Sequence, residues 1–512
     1  MMITLLTLVP IIGGLAVLAL RRTGDMARLI AMVFAAASFV FALLFWAGLD
    51  PRNPGMQFEE RHAWAPSLGI YYHVGMDGLG VLLVVLSALV VLMSLAASWR
   101  NENHGPVYCG LVLLLEAGLF GTFTALNFIH WFIFWELSLI PAFFLVRLWG
   151  GKGRAKASAQ FFLYTMVGSV ALLLAFLAIF LATGQFDFVE LAQLAQSGQL
   201  TTALAQNLHW HGSPQPLTML LFWAVFLGFA VKTPVVPFHT WLPATYAEAS
   251  SETTMLLTGA MSKMGVYGFL RILLPIFPQE MQHALRPLEW LAVATIVLPA
   301  FAAWAQKDLK RTFAYSSINH LGYCVLGICV AAKFTGADAA LASEKAAALT
   351  GVLLQIFSHG LTAATLFWFV ALLERRTGGL RGLNDFGGLR RVVPVFSGLM
   401  GIAIFASLGL PGLNGFPAEF LIFKGAFPLA VRITSIAVLG LLMTAVFLLT
   451  ILQKVFSGPV NPRWEKMADL TLTERLALAP VIALMFVLGL YPQLITGMVH
   501  GTVMQWIVGM RF

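Results

Sequence analysis

Charge is scarce in this sequence: only 11% of its 512 residues are Asp, Glu, Lys or Arg, against about a quarter in a soluble protein. With 59% hydrophobic residues and a mean hydropathy of +0.85, that scarcity excludes a water-soluble enzyme. Cysteine is nearly absent too. Cys109, Cys324 and Cys329 are scattered over apolar segments with no CxxC spacing, which excludes an iron–sulfur cluster or zinc ribbon built by this chain alone, and a disulfide framework. No phosphate-binding loop, GxGxxG or nucleophile elbow is present, so the chain has no visible means of its own redox chemistry or ATP hydrolysis. The formal charge of +8 points to membrane topology rather than to a nucleic-acid partner.

What the sequence has is a succession of apolar runs of about 20 residues, the length that crosses a bilayer as a helix. They are too long and too uniformly apolar for barrel strands, so the fold class is an all-α polytopic membrane protein. Spans are expected near 2–20, 27–48, 77–98, 107–125, 127–147, 158–182, 217–243, 252–275, 287–305, 312–332, 347–373, 393–428, 433–453 and 476–493, fourteen in all. The first lacks a basic leader and reads as a retained helix. Of 31 lysines and arginines, 20 follow odd-numbered spans and 8 follow even-numbered ones or lie in the tail. The positive-inside rule then puts both termini on the non-cytoplasmic side.

An internal repeat is visible as well. The seventh span carries VKTPVVPFHTWLP (231–243), broken at Pro234 and Pro237, and the twelfth carries LGLPGLNGFPAEF (408–420), broken at Pro411 and Pro417. An odd offset of five spans gives the two units opposite orientations. Paired discontinuous helices of this kind point to an ion pathway near the midplane. The chain divides accordingly into helices 1–3 (residues 1–106), a first repeat (107–275), a second, inverted repeat (287–456) and a last helix with its tail (457–512).

An ionisable group in hydrocarbon costs about 2.5–3.5 kcal/mol on insertion scales, so each needs a reason. Those inside the spans are Glu116, Glu136, Lys232, Lys263, Glu419 and Lys424, with His239, His320 and His359. One reason is structural: buried ion pairs or hydrogen bonds that orient helices. The other is a lateral chain of protonatable groups. Lys232 abuts the first break, where prolines free backbone carbonyls for water or a side chain, and Glu136 is its candidate partner. Lys263 lies among small residues with Tyr267 a turn onward. Gln355, His359 and Thr362 form a stripe on an apolar helix, and a histidine titrating near about 6.5 can relay protons or simply pack. Glu419 follows the second break, with Lys424 five residues later as a further candidate. Glu248 and Glu252 read as caps at the start of the eighth helix.

The segments FWELSLIP, FAVKTPVVPFHTWLP, SKMGVYGFLR, KRTFAYSSINHLGY, SHGLTAATLF and LGLPGLNGFPAEF, in this order, resemble the antiporter-like membrane subunits of proton-pumping NADH:quinone oxidoreductase (respiratory complex I). Similar subunits occur in Mrp-type sodium/proton antiporters and membrane-bound hydrogenases. The resemblance is greatest to the M-type chain, which like this one has a glutamate in its broken twelfth helix. It implies that Glu136 and Lys232 form a coupled pair, Lys263 is the central relay, His320 and His359 connect, Glu419 is the outlet, and Glu116 belongs to an inter-subunit polar axis. It implies a bacterial inner membrane, L-like and N-like partner chains and lipids. NADH, FMN, iron–sulfur clusters and quinone would sit in partner subunits, with no cofactor in this chain. The stretch Ala244-Thr245-Tyr246-Ala247-Glu248-Ala249-Ser250 departs from the family's Asp-Ala-His and Glu-Ala-Pro. Against the redox-driven pump stand two other readings, a gradient-driven ion exchanger and a non-transporting scaffold.

Overall fold

A computed structural model describes residues 1–99, 101, 103–208, 213, 215–336 and 338–509. Arg100 and Arg511, both counted for topology, lie outside them. Twelve helices among these residues are long and apolar enough to cross a bilayer. Two more crossings are assembled from pieces, giving the expected fourteen. The eighth, 251–276, alternates α-helix with π-turns at Leu257–Met261 and Phe269–Leu273. The twelfth consists of Pro394–Ser407 and Gly415–Leu429 around an open stretch.

Burial sorts the crossings into layers. Windows in Leu309–Ala331 and Ala339–Thr377 are 94% and 100% buried, whereas those in Asp25–Gly48 and Leu472–Leu490 are each 28% buried. The former are the central pillars of the bundle. The latter keep leucine, phenylalanine and valine outward, as a lipid-facing helix must. The 39-residue Ala339–Thr377 overruns the expected 347–373 because its alanine-rich first turns continue the helix.

Close packing rests on small residues. A Cβ on Gly265 would lie 2.0 Å from Thr233 Oγ1 and 2.7 Å from the Thr233 backbone nitrogen, so the eighth crossing touches the seventh at its break only because this residue has no side chain. Gly265→Val is therefore expected to push the two apart, at a cost of about 1–3 kcal/mol. The measurement is the thermal midpoint of the purified assembly; an unchanged midpoint would contradict this packing.

Four elements were not expected. A β-hairpin, Gln57–Ala65 with Ile70–Met76, links the second and third crossings. Two short amphipathic helices, Phe188–Gln196 and Gln199–Asn207, follow the sixth. A further helix, Gln493–Gly509, follows the fourteenth. All are too short or too polar to register as a span. They gather at the end that bears Met1 and the last described helix: the Met1 ammonium lies 3.0 Å from Glu60 of the hairpin, and Thr502 accepts from the amide of Gly78 at 3.0 Å. His73 clamps hairpin to helix. It bonds Asp187, the N-cap of Phe188–Gln196, and Glu59 at 2.8 Å. Burial pushes the His73 pKa down, but the two carboxylates outweigh it and hold the imidazole above its usual value.

Candidate proton path

Gln215–Lys232 ends at its lysine, and the helix resumes at Trp241–Glu248. The stretch between, holding Pro234 and Pro237, makes its own hydrogen bonds. Trp241 Nε1 donates to the Val231 carbonyl at 3.0 Å and the Val236 amide to Thr295 Oγ1 at 3.0 Å. Such stitching keeps an unwound turn tolerable inside a membrane. Lys232 is buried at 2% exposure, and its ammonium sits 4.9 Å from the ring centroid of Trp135, a cation–π contact. Trp135 is fixed in turn by Nε1 donating to Ser169 at 3.0 Å. Glu136 adjoins it within electrostatic range of Lys232, yet among the described residues no ion pair joins the two. One Glu136 carboxylate oxygen is buried with no protein partner. His239 lies within the break, between Lys232 and Trp241.

The second cluster is continuous. The π-turn Leu257–Met261 runs up to Lys263 and reshapes the carbonyl pattern there. The Lys263 ammonium, fully buried, donates to the Thr258 carbonyl and contacts His359 Nδ1 at 2.9 Å. The His359 and His320 rings lie 5.2 Å apart. His320 then meets the Glu419 carboxylate at 3.3 Å through Nδ1 and Ser407 at 3.2 Å through Nε2. The order along this line is Lys263, His359, His320, Glu419. A small cavity lined by His320, Gln355, His359, Ser407 and Glu419 adjoins it.

The twelfth-helix break presents Glu419 to this line. Pro411 lies in the open stretch, whereas Pro417 sits in the first turn of the resumed helix, where proline is tolerated. Gly409 has φ +77° and a Cβ there would fall 2.6 Å from Glu419 Oε2, so only glycine admits the carboxylate. Asn414 pins the break to the eleventh crossing through the Ser358 carbonyl and Thr362 Oγ1, both at 3.1 Å.

Other expected residues stand apart. Glu116 is fully buried in the fourth crossing near Ser38 of the second. Lys424 is at the bundle's flank, paired with Glu344 at 2.9 Å and about half exposed. Tyr267 turns toward Arg271, whose Cζ is 5.8 Å from its ring centroid. Of the two acidic residues expected at the start of the eighth helix, Glu252 is there and Glu248 is not. Glu248 ends its helix and accepts from the Gly153 amide at 2.7 Å, while Ser250 caps the eighth crossing and Glu252 lies in its first turn. Asn414, Ser407 and the buried Asp77–Arg271 pair were missed. For Asn414 the signal was an asparagine inside a glycine- and proline-rich break.

A family described as NADH:quinone oxidoreductase/Mrp antiporter, transmembrane, matches residues 125–447. NADH-quinone oxidoreductase subunit M of Rhodobacter capsulatus is 34% identical over 509 residues, covering 98% of this chain and 95% of its own. F(420)H(2) dehydrogenase subunit M of Methanosarcina mazei is 34% identical over 494 residues, covering 96% and 94%. A chain of respiratory complex I from Thermus thermophilus superposes over 100% of both chains with TM-score 0.84 and 27% identity. A chain of the Mrp complex from a Dietzia species, at 20% identity, TM-score 0.83 and coverage of 100% and 99%, shares the fold.

Proposed function

The chain belongs to the NADH:quinone oxidoreductase/Mrp antiporter membrane family and is a proton-translocating membrane-arm subunit of a complex I-type assembly, and from that premise we propose that its protons pass along the residues just described. Glu136 and Lys232 form the inlet pair, Lys263 the central relay, His359 and His320 the connection, and Glu419 the outlet. The observation that carries this reading is the buried line Lys263–His359–His320–Glu419, in which contacts of 2.9 Å and 3.3 Å flank two histidine rings 5.2 Å apart.

Burial favours the neutral form of a lysine and a nearby carboxylate favours the charged form. Movement that changes the distance between Glu136 and Lys232 therefore changes where the proton rests. Trp135 holds the ammonium in the absence of a direct bridge, so the pair can tighten as well as loosen. The segments 107–275 and 287–456 act as inverted halves, each with one broken helix. Electron transfer from NADH through FMN and iron–sulfur clusters to quinone belongs to partner subunits, and L-like and N-like chains and lipids surround this one. The membrane is the bacterial inner membrane, and the hairpin end with both termini faces away from the cytoplasm, in keeping with the lysine and arginine asymmetry.

Lys232→Ala or Glu136→Ala is expected to remove most proton pumping from an assembled complex, and Glu136→Asp to retain part of it. The measurement is dye-monitored proton uptake by inverted membrane vesicles during NADH oxidation. Normal pumping by an assembled double variant would leave the pair a structural staple.

A further inference from the structure

Arg271 falls near the end of the eighth apolar run, where sequence alone makes it a topology residue of the following loop. The structure buries it instead. Only 8% of Arg271 and 1% of Asp77 are exposed, and the guanidinium is bonded to Asp77 Oδ1, the N-cap of Gly78–Ser98. Arg271 also lines a cavity of about 420 Å³ at the hairpin end, and of the eighth-crossing residues that do so (Arg271, Leu274 and Pro275) it is the one nearest Lys263 along the helix, the cavity's floor on that side. Met56 just ahead of the hairpin, Glu59 within it, Phe188 and Gln193 of the short helix, and Trp506 of the last helix form its walls.

The helix running inward from this floor is the one that carries Lys263. Lys263 and Tyr267 are spaced i, i+4 within Lys263–Gly268, and Arg271 follows in the π-turn Phe269–Leu273 with its guanidinium toward the Tyr267 ring, so the relay lysine lies roughly 12 Å below Arg271 along the helix at about 1.5 Å per residue. Tyr267 stands between them in sequence, with its ring against the guanidinium. This is the shortest way along the helix from the hairpin-end surface to the centre of the path, and it avoids Glu419. A proton returning this way would cancel the work of the pump.

We propose that the Arg271–Asp77 pair is a proton barrier closing the hairpin-end cavity off from Lys263. It rests on Lys263 being the relay. A guanidinium stays protonated at every physiological pH and so cannot pass a proton on, and a cation fixed in a low-dielectric constriction repels an approaching hydronium, as arginine does in proton-excluding pores. Asp77 keeps the guanidinium in place and lowers the cost of burying it. The broad cavity thus ends at a charge that cannot titrate, whereas the relay line is built of groups that can.

The test is passive proton flux in proteoliposomes holding the whole complex, driven by a potassium diffusion potential with no NADH present. Arg271→Met, and the neutral double variant Arg271→Gln with Asp77→Asn, are expected to raise the flux at least threefold and to lower the protons moved per electron. Arg271→Lys, a cation of similar reach, is expected to stay within twofold of the parent. Parental flux in either assembled neutral variant overturns the barrier, and so does a leak in Arg271→Lys as large as theirs. Because the flux is read without turnover, this failure is separable from that of the relay. The relay fails if Lys263→Met pumps normally; the barrier fails if Lys263→Met stops pumping while the neutral Arg271 variants stay tight.

Discussion

Lys263→Met is expected to reduce proton pumping at least tenfold in a complex that still assembles. Methionine nearly matches the lysine stem in length and fills the same apolar surroundings. What disappears is the ammonium, which donates to the Thr258 carbonyl and meets His359 Nδ1 at 2.9 Å. Leaving those two buried acceptors unserved costs about 1–3 kcal/mol each, a price that a bundle with so much buried area withstands. The transport cost is larger, because the line from the inlet half to His359 is cut. Lys263→Arg separates the explanations. It restores a cation and hydrogen-bond donors but cannot release a proton, so pumping should stay low although charge is conserved. Vesicle acidification measured alongside NADH oxidation reads both variants. Arginine restoring more than half of the parental pumping would mean that Lys263 acts as a fixed charge rather than as a relay.

The crossings were legible because each is a long apolar run, and the breaks because Pro234, Pro237 and Pro411 interrupt two of those runs. The candidate residues were legible for a related reason: a lysine or histidine inside hydrocarbon stands out against its neighbours. Neighbour relations across helices were not. The stripe Gln355, His359, Thr362 reveals a polar face without revealing that His359 meets Lys263 while Gln355 reaches His320 at 3.4 Å. Glu136 reads as the candidate partner of Lys232, yet the ammonium rests on Trp135; an apolar-looking tryptophan gives no sign in sequence that its ring will hold a cation. Lys424 looked as deep as Glu419 because both belong to one apolar run, and the five-residue offset carries it to the flank beside Glu344. The hairpin and short helices fall below the length of a span, and π-turns differ from α-turns by a single residue of spacing, which no hydropathy pattern resolves.

Glu419→Gln is expected to suppress pumping as strongly as loss of Lys263, with normal assembly, because glutamine keeps the shape of the side chain and a hydrogen bond to His320 while removing ionisation. The outlet group has to accept a proton from His320 and then release it against the membrane potential, where each charge moved through the full field costs about 2.3 kcal/mol per 100 mV. A group frozen in one protonation state cannot do both. The contact of 3.3 Å between His320 Nδ1 and Glu419, and the bare face of Gly409 that admits the carboxylate, place acceptor and donor in direct reach. Glu419→Lys supplies a titratable group of opposite sign. Two adverse changes come with it: the amine approaches the histidine instead of attracting its proton, and the space over Gly409 was shaped for a carboxylate. Its pumping should therefore fall between that of Glu419→Gln and the parent. Undiminished proton transport by Glu419→Gln in reconstituted vesicles would remove Glu419 from the path, and Lys424 could not take its place without first leaving Glu344, so the outlet would then have to be sought among the other groups on the His320 cavity.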